Sequence, residues 1–450
     1  MPAGRGAIAG DGRRGVAELA ARWSDTRRRA GRAAHVPLLV CRAVADVRPF
    51  RAITYRQEAA GPLGDLLSPP YDVQGPEERA RYLAASPYNA VHLDLPELPY
   101  EEVRALIDRW LDEGVLERAD RPILIAWTQT FALADGTERE RRTLIGAVKL
   151  EPYSARVVRP HERTHAGPKE DRLRLTRAVD ANLSPVFGLY PDPEGSAWAA
   201  AAVSGPPWAE LTDPDGVVHR LWRLDDPSAL DAVSTALADA WILIADGHHR
   251  YETALAYRDE RIAAAGDDPA APYQRVMMGL TSLDDPGLVV LPTHRLLSRW
   301  PEGAGAAFTR TPVTDLPALR AALADADQRA AAAGLVTPEG MWLLTREIGA
   351  DASPAERLDV AVLERELLVP DLGADQAALA HDGLLTYTKD DAEAVSLVSD
   401  GTVAAAIVMR PIPKPGIAAV SDSGETMPQK STYFFPKLLT GGAFHTLTDG

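Results

Sequence analysis

The chain has 450 residues, 46% hydrophobic and 25% charged, the profile of a folded protein with material for two or three cores. A formal charge of −16 opposes broad association with nucleic acid or an anionic membrane, because long-range repulsion acts against the encounter. A single cysteine, Cys41, excludes an intrachain disulfide and cysteine-rich zinc sites.

No apolar run approaches the roughly eighteen residues of a membrane span. Residues 1–36 carry eight Arg against three acidic residues, a net of +5, without the continuous apolar segment of a secretory signal. They read as a flexible extension, and cytoplasm is the expected location. From about Val36 strands and helices alternate, predicting a mixed α/β (α+β) chain with an N-terminal region over 37–150, a core over 151–300 and a C-terminal region over 301–450. "PEERARYLAAS" opens on Pro76, suited to a helix's first turn. "PYEEVRALIDRWLDEGVLE" places Val103, Leu106, Ile107, Trp110 and Leu111 at helical spacing. "RPILIAWTQTFAL" and "RRTLIGAVKLEPY" flank the turn signal Asp135-Gly136 and predict a hairpin. Farther on, "WILIAD", "QRVMMGLTSL", "GLVVLPTHRLL", "MWLLTR" and "VAAAIVMRPI" read as strands. "LPALRAALADADQRAAAAG" reads as helical by propensity, as does "ERLDVAVLERELLV". The tail "ETMPQKSTYFFPKLLTGGAF" reads as irregular.

Three segments carry candidate chemistry. His161-Glu162-Arg163-Thr164-His165 matches H-E-x-x-H, which on a helix holds zinc. Pro160 and the pair Gly167-Pro168 bracket the string, so no long helix can run through both imidazoles, and no third ligand follows in register. The string reads instead as one acid, Glu162, among the cations Arg159, His161, Lys169 and Arg172 near a phosphate site, a setting for a general base that takes a proton from an attacking hydroxyl, with Arg159, Lys169 and Arg172 expected to bind the phosphate or nucleotide. The plainer alternative is a surface ion-pair cluster.

The second segment runs from the apolar strand at Ile242 into Asp246-Gly247-His248-His249-Arg250 and then a helix. Gly247 permits a tight turn, the helix start offers unpaired N–H groups to an anion, and the imidazoles and guanidinium match phosphate oxygens. Asp246 suits a magnesium ion or the orientation of a histidine. In the third segment, "MPQKSTYFFPK", prolines flank Lys430, Ser431 and Thr432, whose ammonium and hydroxyls suit a ligand, although a strand with an aromatic face fits equally. "SPPYDV" and "SPYNAVHLDLP", with Tyr71, Asp72, Asn89 and His92, read as turn-forming loops.

From about residue 47 onward the chain resembles an uncharacterised bacterial family, domain-of-unknown-function family 1015. The resemblance rests on "RPFRAITY", "LSPPYDV", "SPYNAVHLDLP", "RPHERT", "PKEDRLRLTRAVDANLSPVFGLYPD", "ADGHHRYETAL", "LPTHRLL" and "MPQKSTYFFPK". More remotely, three of these segments resemble the free-serine kinases with a ParB/sulfiredoxin-like core. That resemblance implies such a core here, with large N-terminal and C-terminal elaborations. It implies Glu162 as base and Asp246, His248, His249 and Arg250 as the phosphate and magnesium site; Gly247 is expected to bind phosphate with that turn, and His161 and His248 to act in catalysis with Glu162. It makes Lys430, Ser431 and Thr432 the substrate loop. The chain departs from those kinases in the span of about eighty residues between Glu162 and Asp246 and in its added N-terminal region.

The expected activity is phosphotransfer on a small hydroxylated metabolite, with free serine kinase or phosphoserine phosphatase the best guess. Mg2+ would assist and ATP or ADP would serve as donor, without nucleic acid or membrane as partner. No Walker A or kinase glycine loop is present in the sequence. The alternative is a nucleotide-binding regulatory module like ParB, without small-molecule turnover.

Overall fold

A computed structural model describes residues 45–133, 135–162, 166–327 and 329–448, with side chains from residue 169 onward in the segment that starts at 166. The expected extension at 1–36, Cys41 and His165 lie outside the described residues. The described residues belong to one unit, Ala43–Gly450.

The hairpin forms around Asp135-Gly136, where Gly136 has φ +81°. It sits in a nine-stranded sheet of the described residues: β1 (Val47–Arg48), β2 (Leu124–Ala132), β3 (Glu138–Lys149), β4 (Val158–Arg159), β5 (Val186–Tyr190), β6 (Ala209–Thr212), β7 (Val218–Leu224), β8 (Ile242–Asp246) and β9 (Arg275–Ser282). The order is β4-β8-β5-β9-β3-β2-β7-β6, with β1 also on β3. β4–β8 and β5–β9 pair in parallel and the rest antiparallel. Strands from both sides of residue 150 share this sheet. Alternation buries both faces: Ile125, Trp127, Ile145 and Ala147 enter one core, and Leu124, Ala126, Leu144 and Val148 the other.

A second, wholly antiparallel sheet comprises β10 (His294–Leu297), β11 (Thr309–Val313), β12 (Ala330–Thr337), β13 (Gly340–Glu347), β14 (Leu385–Thr388) and β15 (Ala405–Met409), in the order β11-β13-β12-β15-β10-β14. A shared core joins the sheets, with Phe187, Leu189 and Leu243 from the first meeting Leu297, Ala333, Leu335 and Ile407 from the second. The mixed α/β class expected from the sequence holds.

Helices form over Pro76–Ala85 and Tyr100–Asp112 as expected. The alanine-rich stretch does not stay helical. Its first half is the helix Leu316–Asp325, but Ala330–Ala333 open β12, with Ala331 and Ala333 buried on one face and Ala332 on the other. "ERLDVAVLERELLV" forms an α-turn at Asp359–Leu363 followed by a π-helical stretch, Glu364–Leu372. The tail is not irregular throughout. Tyr433–Phe435 pairs antiparallel with Val289–Leu291, while Phe434 and Leu438 enter the shared core and Ala443 and Phe444 the core under the first sheet. A helix at Lys414–Ser423 precedes it, concealed in the sequence by Pro415 and Gly416.

Candidate functional site

Three pieces of chain meet at one cleft of about 800 Å3. The first is the end of β8. A β-bulge between Ile244 and Asp246 shifts the strand's alternation, so Asp246 does not follow Ile242 and Ile244 into the core but lines the cleft. Gly247, at φ +85°, turns the chain into helix α1 (His248–Ala265). Gly247, His248 and His249 line the cleft beside Asp246.

The second piece is Pro160-His161-Glu162, directly after β4. Met427 N–H donates to the His161 carbonyl at 2.7 Å, and Glu162 bridges Met427 in parallel, which brings in the third piece, the 427–437 tail. Lys430 adopts φ +54°, and Ser431 Oγ donates to the Pro428 carbonyl. Ser431 N–H and Thr432 Oγ1 approach Glu162 Oε1 at 3.3 and 3.4 Å. Glu162, Lys430 and Thr432 line the cleft.

His161 ties these pieces together from behind. Its ring is fully buried, with Nδ1 2.5 Å from the Ile244 carbonyl and Nε2 3.0 Å from Thr432 Oγ1 and 3.5 Å from Glu162 Oε1. A carbonyl only accepts, so Nδ1 carries a proton, and Nε2 faces the Thr432 hydroxyl and the Glu162 carboxylate. The His161 backbone N–H reaches His248 Nε2 at 3.3 Å, which assigns the His248 proton to Nδ1. Burial, then the adjacent His161 ring, pushes His248 down to about 3, against the pull of Glu162 and Asp246. Burial also acts to raise Glu162, but His161, His248 and Lys430 prevail and hold it at about 2. Asp246 likewise stays below the usual carboxylate range: burial opposes this, and Lys437 and Arg250 overcome it.

Arg250 does not line the cleft. It lies beneath Asp246, donating to Asp246 Oδ2 at 2.5 Å, to Ser184 Oγ at 2.9 Å and to the Pro185 carbonyl. The sequence reading missed Lys437, whose Nζ donates to Asp246 Oδ1 at 2.6 Å and sits 4.6 Å from the Tyr433 ring centre. The signal was in "MPQKSTYFFPK", whose last residue it is. Also missed were Lys389, on the cleft wall over Tyr433 and Phe435, and Arg295. The fully buried Arg295 donates to the carbonyls of Thr293 and Lys430 and to Gln376. Asp72, read as turn-forming, lines the cleft too. Asn89 does serve a turn, its side chain bonding Asp65, Leu67 and Val91.

Three cations expected around Glu162 are not there. Arg159 pairs with Asp422 at 2.6 Å and stacks on Trp241. Lys169 pairs with Glu252 at 3.2 Å. Arg172 bonds Asp94, Asp171 and Tyr100 and stacks on Tyr71. The reason is local: a helix starts at Ala166 and carries Lys169 and Arg172 off along its own faces. His161 precedes that helix, so no helix presents the H-E-x-x-H string in the way zinc requires. Among the described residues no group of three His, Cys, Asp or Glu is placed to hold a metal ion, and no helix is long and apolar enough to cross a membrane.

No curated protein sequence matches the chain. Among solved structures, it is similar to a free serine kinase in complex with AMP, with 13% identity, 62% of this chain and 83% of that one covered, and a TM-score of 0.35. A conserved hypothetical protein from Pyrococcus furiosus matches at 13% identity, covering 63% and 89%, with a TM-score of 0.34. The SbnI protein from Staphylococcus aureus, truncated at its C-terminus, matches at 11% identity, covering 66% and 85%, with a TM-score of 0.33. The model of the family described as "Protein of unknown function (DUF1015)" matches residues 47–361, and the chain belongs to that family.

Proposed function

We propose that the protein transfers a phosphoryl group to or from a small hydroxylated metabolite, serine or phosphoserine being the best candidate, with ATP or ADP as the nucleotide. One observation carries this reading: Glu162 and the Asp246–His249 turn, although far apart in sequence, line one cleft with Lys430 between prolines. Phosphoryl transfer asks little covalent chemistry of a protein; it asks for positioning and charge neutralisation. The start of α1 after Gly247, with Lys430 and Lys437, provides donors for phosphate oxygens. Glu162 would take the hydroxyl proton. A carboxylate held at about 2 is a weak base at neutral pH. In a loose transition state the proton leaves late, so orienting the hydroxyl is its larger contribution.

Further cleft carboxylates, including Asp213, Asp215 and Asp390, suit a substrate bearing an ammonium group, as serine does. The magnesium role expected of Asp246 does not fit: both of its oxygens are held by cations, Lys437 and Arg250. Replacing Glu162 by Gln separates this reading from a nucleotide-binding module without turnover. The enzyme reading expects nucleotide affinity to persist while turnover is lost, and a variant that turns over at the wild-type rate would contradict it.

A further inference from the structure

His161 is a base without access to the cleft. Its ring is fully buried and does not line the cavity, its Nδ1–H is fixed on the Ile244 carbonyl, and its Nε2 meets the Thr432 hydroxyl at 3.0 Å. Thr432 does line the cleft. A hydroxyl facing the ligand, a histidine within hydrogen-bond reach behind it and a third group fixing the tautomer are the parts of an activated nucleophile. The His161–Thr432 contact that ties the tail to β8 also sets an imidazole nitrogen directly behind that hydroxyl.

We propose that Thr432 is itself a phosphoryl acceptor. This rests on the phosphotransfer reading above and adds a covalent phosphothreonine to it. Thr432 Oγ1 attacks the terminal phosphorus of a bound nucleoside di- or triphosphate. The Oγ1–P bond forms as the bond from phosphorus to the bridging oxygen breaks. The hydroxyl proton passes to His161 Nε2, and the nucleotide leaves one phosphate shorter with the bonding electron pair. Lys430 and Lys437, both lining the cleft, offset the charge on the transferred group. In the return step a substrate hydroxyl attacks that phosphorus, Glu162 takes its proton, and the departing Thr432 oxygen recovers its own from His161.

The full chain is incubated with magnesium and either ATP or ADP, without acceptor, and quenched in acid, which a phosphothreonine ester survives. Intact and peptide mass spectra then report the product. The wild type should gain the mass of one phosphoryl group at Thr432; Thr432→Ser should keep the label on residue 432, and Thr432→Val should lose it. Phosphorus NMR of parallel samples with serine separates this from the broader reading. Turnover of serine at equal rates by the wild type and Thr432→Val, with no labelled protein, would overturn the phosphothreonine and leave phosphotransfer standing. A label mapping only to other residues would also overturn it. No nucleotide consumption and no label in any sample would defeat both.

Discussion

At the scale of single residues, the site depends on Gly247 more than its lack of a side chain suggests. Its φ of +85° is costly for any other L-residue, and a β-carbon there would lie 2.8 Å from Arg250 Nε. Arg250 cannot simply swing away, because Asp246, Ser184 and Pro185 hold it. Gly247→Ala should therefore destabilise the fold by roughly 1–2 kcal/mol from the backbone alone and displace the guanidinium from Asp246. Nucleotide affinity, read by calorimetry, should fall by about tenfold or more, the equivalent of about 1.4 kcal/mol. Unchanged affinity would mean that the turn does not contact phosphate. Gly247, Asp246, Glu162 and Thr432 were all legible as candidates, because polar groups concentrated at a strand end or between prolines stand out from an apolar background. Arg159, Lys169 and Arg172 mislead because proximity in sequence to Glu162 is not proximity in space: a helix starting at Ala166 carries Lys169 and Arg172 away, and Arg159, on β4, is held by Asp422 and Trp241.

At the scale of elements, β10 supports the site without lining the cleft. Arg295 is buried, and burial draws it down to about 10, so it remains charged at neutral pH. Its donors hold the Thr293 and Lys430 carbonyls, fixing the left-handed backbone at Lys430. Arg295→Met removes the donor from those acceptors and from Gln376 Oε1. At about 1–3 kcal/mol for a buried unsatisfied group, thermal unfolding should show a loss of about 3 kcal/mol, with ligand affinity weakened through Lys430. Arg295→Lys should not rescue it, because an ammonium lacks the planar fork. A melting temperature unchanged by Arg295→Met would contradict this account of the loop. Strands bounded by clear turns were legible; β12 was not. Its alanines favour helix in isolation, but the helix Leu316–Asp325 lies so close that a β-carbon at Gly334 would meet Leu319 at 2.7 Å. Small residues serve that packing, and propensity gives way to it.

At the scale of the whole molecule, two sheets joined through a shared core bury several histidines in their neutral form. Burial comes first among the causes that lower His248 to about 3, and His294 and His445 each to about 4. His248 and His294 also accept backbone N–H bonds that protonation would abolish. Each histidine binds a proton more weakly folded than unfolded, so the unfolded state holds more protons between the two values and stability rises with pH across that interval. The protein should lose stability as pH falls from about 6.5 towards 4, each tenfold difference in proton affinity counting for about 1.4 kcal/mol. Glu162 has the same sign: its folded value of about 2 lies below the ordinary 4.5, so its contribution is lost between those values. A melting temperature flat from pH 7 to pH 4 would contradict this. The mixed α/β class was legible from the alternation of strands and helices, but not which cores the tail joins, since a contact between residues 162 and 431 leaves no local pattern.

The most direct test of the central claim is phosphorus NMR of wild-type protein beside Glu162→Gln, each with ATP or ADP, magnesium, and serine or phosphoserine. At least one combination should change phosphorus species with the wild type, and the variant should bind the same nucleotide without turning it over. No change under any combination, or equal turnover by the variant, would contradict it.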